Sequence, residues 1–164
     1  MRHTTSLSTL LCALAAAGTA AAGIVEVKFT EPTKFADIGR SSFNRDQHLK
    51  TLNAHFESLA KKLPAAQKLA IEVTDVDLAG EERWVRGQPD LRVLTGRADW
   101  PVITVKYSLS EGARTLKAGE ERIVDMAYLQ GSLGMLKDQD LAYERRMIDR
   151  WFTERLAAST AAAR

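Results

Sequence analysis

Between Leu69 and Leu78 the apolar residues alternate as Leu69, Ile71 and Val73, then slip by one position to Val76 and Leu78. Alternation with period two marks a strand with one buried face. If that strand continued without interruption, Asp75 and Asp77 would share the buried face with Val73. The pattern therefore predicts a bulge or bend around Thr74-Asp75. It falls where the strand runs into Asp75-Val76-Asp77-Leu78-Ala79-Gly80 and then Glu81-Glu82.

The elements on either side of this strand follow from the same periodicities. Ile24 to Phe29 alternates as a strand with Val25, Val27 and Phe29 inward, and Glu31-Pro32-Thr33 ends it, because proline gives no N–H to a ladder. Phe35 to Arg40 reads as loop. Asn44 is placed as a helix N-cap with Gln47 three residues on, and Leu49, Leu52, Phe56, Leu59 and Leu63 recur at spacings of three and four, predicting an amphipathic helix over 45–62. Residues 80–90, with Gly80, Gly87 and Pro89, read as a long loop around Trp84, followed by a short edge strand from Leu91 to Leu94. Val102 to Leu109 predicts a strand with Ile103, Val105, Tyr107 and Leu109 on one face. Glu111-Gly112 turns the chain, and Leu116 to Val124 returns antiparallel with a bulge at Gly119. After an irregular stretch from Asp125 to Leu136, Asp140 is placed as the cap of a helix from Leu141 to about Ala157 carrying Tyr143, Met147, Ile148, Trp151, Phe152 and Leu156. Strand, helix, antiparallel strands and closing helix make an α+β domain with a mostly antiparallel sheet and both principal helices on one face.

Residues 1–22 are of another kind. Arg2 supplies positive charge, Leu7 to Ala17 is an uncharged apolar run, and Ala20-Ala21-Ala22 offers small residues at a cleavage point. This layout predicts a signal peptide cut between Ala22 and Gly23, with Ala20 as the competing end, rather than a membrane anchor, since the run is short of the roughly 20 apolar residues of a spanning helix. Cys12 follows Leu11, which is not the small residue a lipoprotein signal requires, so Cys12 leaves with the signal and the protein is not a lipoprotein. The remaining chain is then cysteine-free, without disulfide, thiol nucleophile or cysteine-held metal. The reading is a periplasmic protein: 1–22 cleaved, 23–158 a single domain with no transmembrane segment, 159–164 a frayed tail. The full-chain net charge of +2 falls to +1 once Arg2 is removed. Near-neutrality gives no support to nucleic-acid binding.

Two readings of Asp75 and Asp77 stay open. With Asp125, and with Glu81 or Glu82, they are weak candidates for a hard-cation site, which needs several converging oxygens. Alternatively they accept backbone N–H bonds where the strand bends. His48 and His55 lie seven residues apart on the predicted helix, about 10.5 Å along its axis, too far to share one zinc ion, and read as surface or boundary residues. Arg145, Arg146, Arg150 and Arg155 alternate with Glu144, Asp149 and Glu154 and read as a solvated mixed-charge face. Trp151 belongs to the helix stripe, whereas Trp84 and Trp100 lie in or beside loops. No Gly-x-Ser-x-Gly and no phosphate-binding glycine loop occurs. No cofactor is implied and no catalytic residue is assigned.

Thr74-Asp75-Val76-Asp77-Leu78-Ala79-Gly80, then Trp84, Asp125-Met126-Ala127-Tyr128-Leu129 and Tyr143-Glu144-Arg145-Arg146-Met147 with Asp149 and Trp151-Phe152 together resemble a bacterial exported family, domain of unknown function three-zero-one-six. The resemblance runs from about Val25 to Leu156 and implies one exported domain, but no activity, substrate or cofactor. The function favoured here is a non-enzymatic envelope accessory or protein-binding domain, with an envelope protein as its expected partner, using a surface of Asp75, Asp77, Trp84 and Arg86. The alternative is a metal-dependent enzyme or ion-binding domain built on the Asp75/Asp77 loop.

Overall fold

The computed structural model describes residues 22–157. The cleavage site's upstream residues, Cys12 and the 159–164 tail lie outside them. Four strands form the main sheet in the order β1 (Ile24–Phe29), β2 (Gln67–Asp77), β5 (Val102–Glu111), β6 (Arg114–Val124). Strands β1 and β2 are parallel, as their connection through helix α1 (Ser42–Ser58) requires, and the other two pairings are antiparallel. Strands β3 (Glu81–Val85) and β4 (Gln88–Val93) make a separate two-stranded ribbon. Helix α2 (Ala142–Phe152) closes the chain and widens into a π turn over Thr153–Ala157.

The bulge expected from the phase slip is present. Val73 pairs with Val105, but Asp75 pairs with Thr104, so one extra residue sits in β2 between them. Val73 and Val76 are thereby both fully buried, while Asp75 and Asp77 are only half-buried. The strand does not end at the bulge. It runs on to Asp77 because Val76 and Asp77 still find ladder partners in Ile103 and Val102.

One hydrophobic cluster joins Leu69, Ile71, Val73, Ile103, Val105 and Leu109 of the sheet to Leu52 and Phe56 of α1 and to Met147, Ile148, Trp151 and Phe152 of α2. Both helices thus lie on one face of the sheet, and the α+β architecture is the expected one. Tyr107 meets Trp151 edge to face at 5.5 Å between ring centres, and Trp151 Nε1 and Tyr107 Oη both donate to Glu121.

Several local expectations need correction. The cap of α1 is Ser41, whose Oγ accepts from the Asn44 N–H at 3.0 Å; the helix begins at Ser42 and tightens to a 3-10 turn over Leu59–Lys62. Asp140 does not cap α2. Leu141 occupies that place at φ 54 with no side-chain cap, its half-buried side chain packed against the core. The irregularity in the β5–β6 hairpin falls between Leu109 and Ser110, opposite Leu116, and not at Gly119. Gly119 faces Tyr107, where an added Cβ would come 3.3 Å from the phenol oxygen, so the glycine leaves room for that ring. The segment read as a long loop at 80–90 is the β3–β4 hairpin, turning on Arg86-Gly87 with Gly87 at φ 84.

Candidate functional site

Because β1, β2 and β6 run in one direction and β5 in the other, the segments 30–41, 78–101 and 125–141 all emerge at the same end of the sheet. Helix α2 also starts there, since its first turn reaches Ala79. The Thr74–Gly80 motif enters this end and is fastened to all of its neighbours.

Of the motif's acids, Asp75 serves the backbone. Asp75 Oδ1 accepts from the Ala36 N–H at 2.9 Å. Asp37 extends the edge of the sheet beside Asp77, donating its N–H to the Val76 carbonyl at 2.9 Å and accepting from the Leu78 N–H at 3.0 Å. Burial, and then the neighbouring Asp37 and Asp75 carboxylates, push the Asp77 carboxyl above its ordinary range, while Arg92 pulls the other way. Replacing Asp75 by Ala removes one solvent-edge acceptor, so a loss of about 1 kcal/mol is expected in urea unfolding. A loss above about 3 kcal/mol would mean that the side chain holds far more than Ala36.

Arg92, from β4, is the centre of the network. Its guanidinium makes two bonds to Asp37, at 2.9 and 3.2 Å, and donates to the carbonyls of Ala79 and Gly80 at 3.2 and 3.0 Å. Glu82 lies 3.8 Å away and accepts the Arg40 N–H at 3.0 Å. Glu144, buried in the first turn of α2, accepts the Ala79 N–H at 2.8 Å, and burial raises its carboxyl well above the usual range. Nothing in the sequence marks Asp37 or Arg92, and Glu144 reads there as part of a solvated mixed-charge face. Glu144 did carry a signal, because it sits three, four and seven residues before Met147, Ile148 and Trp151 and therefore on the buried stripe, not on a solvated face.

The arginines of α2 are likewise more committed than a mixed-charge surface. Asp125 is buried, and its two oxygens lie 3.2 Å from Arg146 and 3.2 Å from Arg150, while Oδ1 also accepts the Ala127 N–H. Arg146 further donates to the carbonyls of Tyr128 and Gln130. Asp125 is thus held by cations and does not join Asp75 and Asp77. Among the described residues no group of three or more acids, histidines or cysteines is placed to hold a metal ion. Of the histidines, His48 is a boundary residue as expected, half-buried with its Nδ1 2.9 Å from the Ile38 carbonyl, whereas His55 is buried.

Trp84 and Arg86 are exposed on the ribbon, Trp84 by 73%. The same end of the sheet keeps further apolar side chains in solvent: Phe43 in the first turn of α1, Leu91 and Leu94, and Met126, Leu129 and Met135. Among the described residues these and Trp84 are seven of the eight exposed large apolar side chains, and only Ile24 lies at the opposite end. Leu129 reaches the 94–96 segment, since a Cβ on Gly96 would meet its Cδ1 at 2.6 Å, and Gly96 N–H donates to Tyr128 Oη. The patch therefore spans two of the three loop segments. Beside it, a cleft of about 390 Å³ opens between the 32–40 segment and β3, lined by Phe35, Asp37, Arg40, Arg45 and Glu82.

Fold and site define an α+β domain whose loop end is bound internally by an arginine–carboxylate network and presents apolar side chains outward. The chain belongs to the family described as Protein of unknown function (DUF3016), whose model matches residues 23–154. Neither the curated proteins nor the solved structures contain a match.

Proposed function

We propose that this chain is a non-enzymatic accessory domain of the bacterial envelope, periplasmic after removal of residues 1–22, that binds another protein through its loop end. The observation that carries this reading is the concentration of exposed apolar side chains there, Trp84 and Met135 foremost. Soluble domains seldom leave large apolar groups clustered in water without a use, and interface centres are enriched in Trp and Met. The acids of the same end support a binding role over a catalytic one, because Asp75, Asp125 and Glu144 are already engaged by backbone amides or arginines. Among the described residues no helix is long and apolar enough to cross a membrane.

Photocrosslinking in cells from positions 84, 129 and 135, with 106 and 108 on the open sheet face as controls, tests the reading. A discrete adduct from the loop-end positions and none from the controls is expected. Equal adducts from both faces, or none, would overturn it. With the partner in hand, Trp84→Ala should weaken binding at least tenfold, the scale of a central tryptophan contact. The same change should leave stability within about 0.5 kcal/mol, because the side chain packs on little of its own protein.

A further inference from the structure

His55 sits on α1 facing α2 and is 6% exposed. Its Nδ1 lies 3.2 Å from Nε of Arg145, and its Nε2 lies 3.0 Å from the Arg145 carbonyl. An arginine Nε–H can only donate, so Nδ1 must offer its lone pair; the ring proton is then on Nε2, where it meets the carbonyl. Both bonds are made at once by a single species, the neutral imidazole with its proton on Nε2. A second proton would have to sit on Nδ1, against a guanidinium that has only N–H to present.

The surrounding charges weigh the same way. From α2, Arg145 contributes a cation and Asp149 an anion 3.5 Å from Nε2. From the 3-10 turn after α1, Lys62 contributes a second cation and already bonds Asp149 at 2.7 Å, drawing off the carboxylate that would best receive an imidazolium. From α1 itself, Lys50, with Gln47, Thr51 and Ser58, lines a shallow cleft that His55 and Arg145 also line.

We propose that His55 is an acid-sensitive latch between the two helices: the neutral ring clasps Arg145 and seats α2 on α1, and protonation opens the clasp. Burial chiefly, with Arg145 and Lys62, lowers the His55 pKa from its ordinary 6.5, against the opposing pull of Asp149. Between the folded value and 6.5 the unfolded chain binds the proton more readily than the native one. Stability from this group is therefore complete above 6.5, falls as pH drops through that window, and levels off below the folded value. Arg145 stands between Glu144, which holds the Ala79 N–H, and Arg146, which holds Asp125, so the loop end is what α2 would loosen first. The latch is a property of the fold and stands apart from the binding reading.

Two measurements on the folded protein test it. In urea unfolding between pH 8 and pH 5, the folded-to-unfolded ratio of the wild type should fall more steeply than that of His55→Gln, by up to about tenfold per pH unit within the window. Glutamine is chosen because it keeps a donor for the Arg145 carbonyl and does not titrate. In parallel, the imidazole resonances of the wild type, assigned by comparison with His48→Gln, should place the His55 midpoint below 6.5. Parallel stability profiles for the two proteins, or a His55 midpoint at or above 6.5, would overturn the latch. If His55→Gln fails to fold, the wild-type resonance titration decides alone.

Discussion

Asp125→Ala should cost about 3 kcal/mol of folding free energy, read as a shift in the urea midpoint at unchanged slope. The carboxylate is 3% exposed and faces Arg146, whose side chain is largely buried, and Arg150, which is nearly half in water. Arg150 can turn outward when its partner is lost and contributes little to the cost. Arg146 cannot, because its two terminal nitrogens are held by the carbonyls of Tyr128 and Gln130 beneath the 125–141 segment, so its charge would be left without a counterion. Removing one member of such a pair is costly even where the intact pair adds little net stability, since the remaining charge stays desolvated. Asp125→Asn keeps an acceptor for the Ala127 N–H and for one guanidinium, and should lose about half as much. A change below about 1 kcal/mol for the alanine variant would show that the 125–141 segment rearranges to rehydrate Arg146.

Gly80→Ala should be nearly as damaging, at about 3 kcal/mol, for a reason of backbone and not of charge. Gly80 adopts φ 77, a left-handed conformation that costs an L-residue roughly 1–2 kcal/mol. A Cβ there would also lie 2.5 Å from the carbonyl oxygen of Val93 and 2.6 Å from Leu94 Cδ2. The leucine can move but the carbonyl belongs to β4, so the ribbon must shift relative to β2. Such a shift would strain the Gly80 N–H bond to the Asp99 carbonyl and the Arg92 bond to the Gly80 carbonyl. Thermal unfolding should register the loss, and a near-wild-type melting temperature would mean that the β2–β3 corner has slack that these distances do not suggest. Gly87→Ala at the ribbon's turn is the control: it carries a similar φ of 84 but no neighbour within 4 Å, so only the conformational part of the cost remains.

How much of this was legible in the sequence depends on whether the information was periodic. The bulge in β2 was readable because Val73 and Val76 break an otherwise strict alternation, and the two helices were readable from stripes of three and four. Of the ribbon only the Leu91–Val93 end of β4 was readable as a strand, because β3 and the start of β4 carry no apolar alternation, and Gly87 and Pro89 suggested a loop instead. Its hairpin is made of backbone bonds and ion pairs, which leave no period. The same holds for the network at the loop end. Asp37, Arg92 and Glu144 meet across separations that no local pattern encodes, and only Glu144, an acid on an apolar stripe, signalled that it needed a partner. Leu141 shows the converse case: Asp140 has the better capping chemistry, yet the packing of Leu141 decides where the helix begins.

The ribbon's attachment has a mechanical consequence. Five residues of β3 project it about 17 Å from the corner at Gly80, and at its root the ties are the Arg92 clasp on Asp37 and on the Ala79 and Gly80 carbonyls, not a packed apolar face. It behaves as a lever with a short, ionic hinge. A rotation of about 10° at the hinge carries the far end roughly 3 Å, so a small adjustment at Arg92 becomes a displacement of atomic size at the turn beside Trp84.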